Sequence, residues 1–328
     1  MKSITINIPK LILTALIFIS CSENEFSIPE LSSGLKNDCI NHSIAPNVVG
    51  QYIEFAYAMA LKPEEGRLLN ANVVASIPGD EGTYLNNKSY YTNGSGVNVG
   101  VEVGESSVTS GNKTTVTFKT DTCAATLRYY YKIPNAARGK EVSFTFSASA
   151  SNGETVYYEM GPYKVREMDL VLDLVATNNT DCYISIADMA VYDAIEAAAN
   201  PDKIDLIYLH RAIPGISFNH SLVSPSSDSQ FKPDFVLAPV INNKSKLIKA
   251  WNIQDQQLAR LQYGVFVDDL DLRNINFAGA PDYAINMRAE SGLWLETEDG
   301  MYKAYIFINK VDNSNGKITL SIKRLKVK

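Results

Sequence analysis

Histidine is scarce in this chain, with 3 in 328 residues, alongside 4 cysteines and 2 tryptophans. So few imidazoles and thiols leave little for metal or nucleophile chemistry. No Cys-x-x-Cys spacing occurs, which argues against a zinc site. A helix of the His-Glu-x-x-His type, a Gly-x-Ser-x-Gly elbow, a P-loop and a Gly-x-Gly-x-x-Gly fingerprint are all missing. An excess of basic residues is lacking too: 30 Lys and Arg stand against 36 Asp and Glu, a net charge of −6. Nucleic-acid partners reward basic patches and are therefore excluded from the expected partners. Long apolar runs are confined to the start of the chain, where Leu11–Ile19 is broken only by Thr14. That run is shorter than the ~20 residues a membrane span requires.

The start is the most informative stretch. Lys2 and Lys10 precede the apolar run with no acid among them, and Ser20-Cys21 follows it. This is the order of a secretory signal: charged segment, apolar segment, small residue at the cleavage point. A small residue followed directly by Cys resembles the lipobox of bacterial lipoproteins, with Phe18 where Leu is commoner. The resemblance implies residues 1–20 as a lipoprotein signal peptide and lipid attachment at Cys21. Several acyl chains on one Cys anchor firmly, since each buried methylene contributes about 0.8 kcal/mol. Removing residues 1–20 takes away two lysines and deepens the net charge from −6 to −8. Ser22-Glu23-Asn24-Glu25 resembles the acidic export tag of Bacteroidota lipoproteins, which implies the outward face of the bacterial outer membrane. Residues 21–40, with Pro29, Ser32, Ser33 and Gly34, read as lipidated Cys and flexible tether.

Residues 41–167 alternate in short runs separated by Gly, Asn, Ser and Pro. Val97, Val99, Val101 and Val103 keep a period of two, as do Val142, Phe144 and Phe146. Runs at 72–77, 114–119, 125–131 and 157–165 complete the set. Turn signals every 8–12 residues predict an antiparallel β-sandwich, and Ile133–Phe146 resembles the late strands of immunoglobulin-like modules of bacterial surfaces.

Residues 168–328 read as an α+β domain. Ser185, with Asp188 three residues on, predicts a helix start and a helix ending near Asn200-Pro201. Lys203–His210 reads as a strand, Asp255–Gln262 as a second helix, and Tyr263–Val267 as a short strand. Gly292–Thr297, Tyr302–Ile308 and Lys317–Lys323 form a three-stranded meander, turned at Asp299-Gly300 and Asn313–Gly316. Ile318, Leu320 and Ile322 face its core while Ser321 and the lysines face out. One or two helices pack on one face. The fold class expected is thus mainly β, an Ig-like sandwich followed by an α+β domain. Ile204–Leu209, Asp255–Leu270 and Ser291–Gly300 resemble a family of two-domain Bacteroidota surface lipoproteins of unknown function, some of them labelled adhesins. The resemblance brings no catalytic residues.

Few residues stand out as chemistry. Asp268, Asp269 and Asp271 are a weak metal candidate, with Asp269 and Asp271 on one strand face, against the plainer reading of a solvated turn. Trp251, Tyr129 and Tyr131 are candidate ligand contacts through ring stacking on a sugar; burial is the commoner fate of tyrosines alternating along a strand, and of Trp294 on a meander strand. Cys39, Cys123 and Cys182 admit one disulfide among three pairings, with buried structural thiols the better expectation. His210 or His220 would need Asp205 or Asp228 beside it to support hydrolysis. No cofactor is implied. The function expected is a cell-surface lipoprotein acting in adhesion or protein assembly without catalysis, its partners the membrane through the lipid and a surface protein or glycan. The alternatives are a glycan-binding lipoprotein of a carbohydrate-uptake system, and a hydrolase with an unrecognised site.

Overall fold

The computed structural model describes residues 33–43 and 46–328. The first eleven strands are β1 (Lys36–Asn41), β2 (Tyr52–Ala60), β3 (Leu68–Ala75), β4 (Tyr84–Leu85), β5 (Lys88–Thr92), β6 (Asn98–Glu102), β7 (Val108–Ser110), β8 (Lys113–Thr117), β9 (Ala124–Lys132), β10 (Glu141–Ala150) and β11 (Thr155–Lys164). Two antiparallel sheets, ordered β1-β2-β9-β4 and β11-β10-β3-β8-β7, enclose one hydrophobic cluster. The alternation read in the sequence is what fills it. Ile53, Phe55, Tyr57 and Met59 point inward from β2, and Val142, Phe144 and Phe146 from β10. Phe55 meets Phe144 at 4.8 Å and Phe146 at 5.2 Å, ring centre to ring centre. Each such side chain contributes about 1.5–3 kcal/mol by leaving water.

The expected tether is shorter here, and the valine period meets no core. The tether does not extend to residue 40: Cys21 lies outside the described residues, but Lys36–Asn41 is β1, paired residue for residue with Asn41↔Phe55 through Lys36↔Ala60. The valine run of β6 does not face a core either. β5 and β6 form a separate two-stranded ribbon that rides on the outer face of β9, where Ser89 Oγ accepts from Thr126 N–H at 3.0 Å. Val97 and Val101 stay exposed and only Val103 is buried, because a ribbon has no second sheet above it.

The second half comprises β12 (Asp169–Thr177), β13 (Tyr183–Ser185), β14 (Ala190–Tyr192), β15 (Leu206–Ile213), β16 (Ile216–Val223), β17 (Lys246–Ala250), β18 (Tyr283–Met287), β19 (Gly292–Glu296), β20 (Tyr302–Asp312) and β21 (Lys317–Lys326). The expected meander is β19-β20-β21, extended on both sides into a five-stranded sheet ordered β12-β21-β20-β19-β17. A second sheet, β14-β13-β15-β16-β18, packs against it over a shared cluster that includes Leu206, Leu222, Ile306 and Ile322. This sheet replaces the predicted long helix. Ser185 ends β13, and the helix is only α1 (Ala194–Ala199), capped by Asp193 and Glu196. The second helix shrinks to one turn, α2 (Gln256–Ala259), and residues 263–267 make a single bridge, Asp255↔Val265, instead of a strand. With α3 (Asp269–Asn274) it covers the other face of the meander sheet, over Trp294, Tyr305, Phe307 and Leu325. Lys323 therefore does not face water: this layer buries it completely. Mainly β is thus the fold class observed. Among the described residues no helix is long and apolar enough to cross a membrane.

Candidate functional site

The sequence-predicted residues separate sharply by burial. Tyr129 and Tyr131 point into the sandwich at 1% and 0% exposure, so neither can touch a ligand. Tyr131 Oη donates to Ile77 O at 3.0 Å, and burial pushes both phenols above their ordinary range. Trp294 is 9% exposed against Tyr305, whereas Trp251 is 49% exposed, which leaves it as the aromatic candidate in contact with water.

The carboxylates of the acidic triplet are engaged within the fold. Asp268 and Asp271 form a reciprocal capping box at the start of α3, with Asp268 accepting from Leu270 and Asp271 backbone N–H groups. Arg166 reaches across from the end of the first half to Asp268 at 3.0 Å and Asp269 at 3.2 Å. The carboxylates are thus taken up by helix capping and a guanidinium, and they sit on a helical turn instead of a strand face. No cluster of metal-ligating side chains is found among the described residues.

The histidines do not assemble a hydrolytic pair. His220 Nδ1 lies 2.7 Å from Tyr208 Oη and Nε2 lies 2.8 Å from Asn313 Oδ1. Its ring stacks on His210 at 4.4 Å. Burial lowers its proton affinity, so a neutral imidazole is the favoured form. Asp205 is spent elsewhere, accepting from Ile186 N–H at 2.8 Å and Ser245 Oγ–H at 3.3 Å; burial raises it to about 7. Asp228 precedes a short turn without a side-chain cap. Cys39, Cys123 and Cys182 are unpaired, with Cys39 and Cys182 buried. Burial lifts both thiols to about 12.

What the fold does build is a cleft at Trp251. β17 ends where Ala250 pairs with Gly292, and the chain turns out of the sheet at Trp251 and Asn252, whose φ is +64°. Gly292 is required there: a Cβ on it would sit 2.2 Å from Tyr305 Oη. That hydroxyl donates to Ile253 O at 2.6 Å and holds the turn from beneath. The opposite rim is the β18–β19 turn, closed by Ser291 Oγ–H donating to Arg288 O at 2.6 Å. Glu290, at φ +63°, is fixed by its N–H to Ile308 O at 2.8 Å. Non-glycine residues in this conformation are costly and tend to gather at binding sites. Gln254 Nε2 donates to Glu290 Oε2 at 3.3 Å and links the rims. The cleft between them holds about 450 Å³ and is lined by Trp251, Asn252, Gln254, Arg288, Glu290 and Ser291. Lys249 Nζ lies 5.7 Å from the indole centre and donates to Ile285 O at 3.0 Å.

Sequence reasoning missed every partner of Trp251, because the two rims are about 36 residues apart and meet only through β17–β19 pairing. It also missed Tyr263, 79% exposed, in a loop tied to the same rim by Val265 N–H to Gln254 O at 3.1 Å and Gln256 N–H to Val265 O at 2.9 Å. An aromatic beside a glycine in the Asn- and Gln-rich run 252–264 was the available signal.

Two family models match successive stretches of the chain: a domain of unknown function (DUF4466) over residues 32–165 and a domain of unknown function (DUF8576) over residues 166–327. The crystal structure of a DUF4466 family protein from Parabacteroides merdae superimposes with a TM-score of 0.84 at 43% identity, covering 90% of this chain and 99% of that one. The major pilin subunit BcpA of Bacillus cereus aligns at 10% identity and a TM-score of 0.29, over 87% of this chain and 66% of that one. The Actinomyces fimbrial adhesin FimA aligns at 10% and 0.27, over 90% and 96%. Superpositions that low carry no argument about this chain. No curated protein matches it.

Proposed function

This chain belongs to the DUF4466 family, whose function is unknown, and from that premise we propose that it is a cell-surface lipoprotein acting in adhesion or assembly by binding, without catalysis. The carrying observation is the Trp251 cleft: an exposed indole beside amide, guanidinium and carboxylate groups is a recognition set. Among its lining residues Ser291 Oγ–H donates to a backbone carbonyl, an arrangement that orients a turn and not a nucleophile. The signal-like start, the lipobox-like Cys21 and the acidic residues after it support an anchored protein facing outward from the outer membrane.

The test is display. Fatty-acid labelling of cells expressing wild type and Cys21→Ala, followed by protease shaving of intact cells, reads anchor and orientation separately. Label on the wild type alone, with loss of the protein on shaving, is the expected result. Equal labelling of both forms overturns the anchor, and protection until lysis overturns the outward orientation.

A further inference from the structure

We propose that the Trp251 cleft is a saccharide-binding site, taking an uncharged pyranose against the indole. The inference rests on the reading of the chain as a binding lipoprotein and names the ligand class of its site.

Exposure, polarity, charge and hydrogen bonding point the same way. Trp251 keeps half its surface in water while the other tryptophan, on the neighbouring strand, is packed away. A half-exposed indole can offer the apolar platform that the C–H face of a sugar needs, with polar groups at its edge. Asn252, Gln254, Arg288 and Glu290 supply that edge with both donors and acceptors, the mixture that vicinal hydroxyls require. A cleft for an apolar peptide side chain would instead be walled by apolar groups, and here Trp251 supplies the one large apolar surface.

The charge balance selects an uncharged sugar. Arg288 and Glu290 face the same cleft with opposite signs, and Lys249, which keeps its charge while donating to Ile285 O, is not among the residues lining the cleft. Hydrogen bonds within the fold also tie both rims down. The Tyr305–Ile253, Ser291–Arg288, Gln254–Glu290 and Glu290–Ile308 hydrogen bonds hold both turns. Preorganisation of this kind lowers the entropy lost on binding. Tyr263, 79% exposed, lies two residues before Val265, which is pinned to Gln254 and Gln256, and is not itself among the residues lining the cleft.

The full chain, purified in detergent, is applied to an array of neutral and acidic oligosaccharides, and the best neutral ligand is titrated. Trp251→Ala and Arg288→Ala are compared with Tyr91→Ala, an exposed tyrosine on the β5–β6 ribbon of the first half that does not line the cleft. Trp251→Ala should weaken binding by roughly 30-fold, the effect of losing a central aromatic anchor. Arg288→Ala should weaken it less, and Tyr91→Ala should leave it unchanged. Unchanged melting temperatures confirm that the variants are folded, as expected for exposed side chains. Absence of any neutral ligand tighter than about 1 mM overturns the site, as does binding that survives Trp251→Ala or a preference for acidic sugars. A silent array with a shaved, lipid-labelled protein refutes the saccharide and leaves the adhesive lipoprotein standing. A binding array with a protein that is neither labelled nor shaved does the reverse.

Discussion

Replacing Lys323 with methionine isolates the feature that most distinguishes the second half of this molecule. Lys323 Nζ lies 2.6 Å from Asp255 Oδ2 and 2.8 Å from Val267 O, and both side chains of the pair are 0% exposed. Asp255 also accepts from Leu258 N–H at 2.9 Å and Val267 N–H at 2.7 Å. One carboxylate thus caps α2, holds the loop after it and neutralises the ammonium on β21. Burial lowers the proton affinity of Lys323 and the Asp255 charge opposes that fall. Methionine matches the lysine stem but leaves the carboxylate without its cation, and breaking one side of a buried pair costs about 3–5 kcal/mol. For a unit of this size each kcal/mol is worth about 2–4 °C, so Tm should fall by roughly 6–20 °C. Urea unfolding followed by tryptophan fluorescence reads this half alone, since both tryptophans lie in it. Asp255→Asn keeps a capping acceptor and removes the charge. Lys323→Met/Asp255→Asn should therefore be more stable than the sum of the single losses requires, with a coupling above ~1 kcal/mol. Amide exchange should accelerate at Leu258 and Val267 while Ile306 and Ile322, in the sheet-on-sheet core, stay protected. A loss below ~1 kcal/mol in Lys323→Met, or strict additivity in the double variant, would refute the reasoning.

Three further outcomes follow from the same geometry. Asp205, raised to about 7 from 3.8 by burial, binds its proton more tightly folded than unfolded, so its contribution is present below pH 3.8 and is lost as pH rises through 7. Asp205→Asn should flatten that part of the stability profile between pH 4 and 7 and gain up to ~4 kcal/mol at pH 8; a parallel profile from calorimetry would contradict it. Gly292→Ala should cost about 1–3 kcal/mol, because the added methyl displaces Tyr305 and through it Ile253; a chemical-denaturation midpoint equal to wild type would show that the turn has slack. Cys39 and Cys182, buried and held to about 12, should resist thiol reagents until urea unfolds the chain, and mass-mapped labelling of either in the native protein would speak against the packing described.

The amino-acid sequence by itself determined the parts that are local or periodic. The alternation of Val142, Phe144 and Phe146, and of Ile318, Leu320 and Ile322, placed strands on their core faces, because side chains alternate strictly along a strand. Turn residues placed the β19–β20–β21 meander. Tertiary structure decided everything that depends on what lies above a face. Val97 and Val101 have the pattern of a core strand and are exposed, since no sheet covers the β5–β6 ribbon. Lys323 has the pattern of a solvent lysine and is buried, since α2 and α3 fold over it. Ser185 begins a helix by local chemistry and ends β13, because pairing with β14 and β15 buries Ile184 and Ile186. The Trp251 cleft belongs to the same class. Its indole was visible as a residue, but Arg288 and Glu290 reach it only because β17 pairs with β19, and strand pairing is a property of the whole chain.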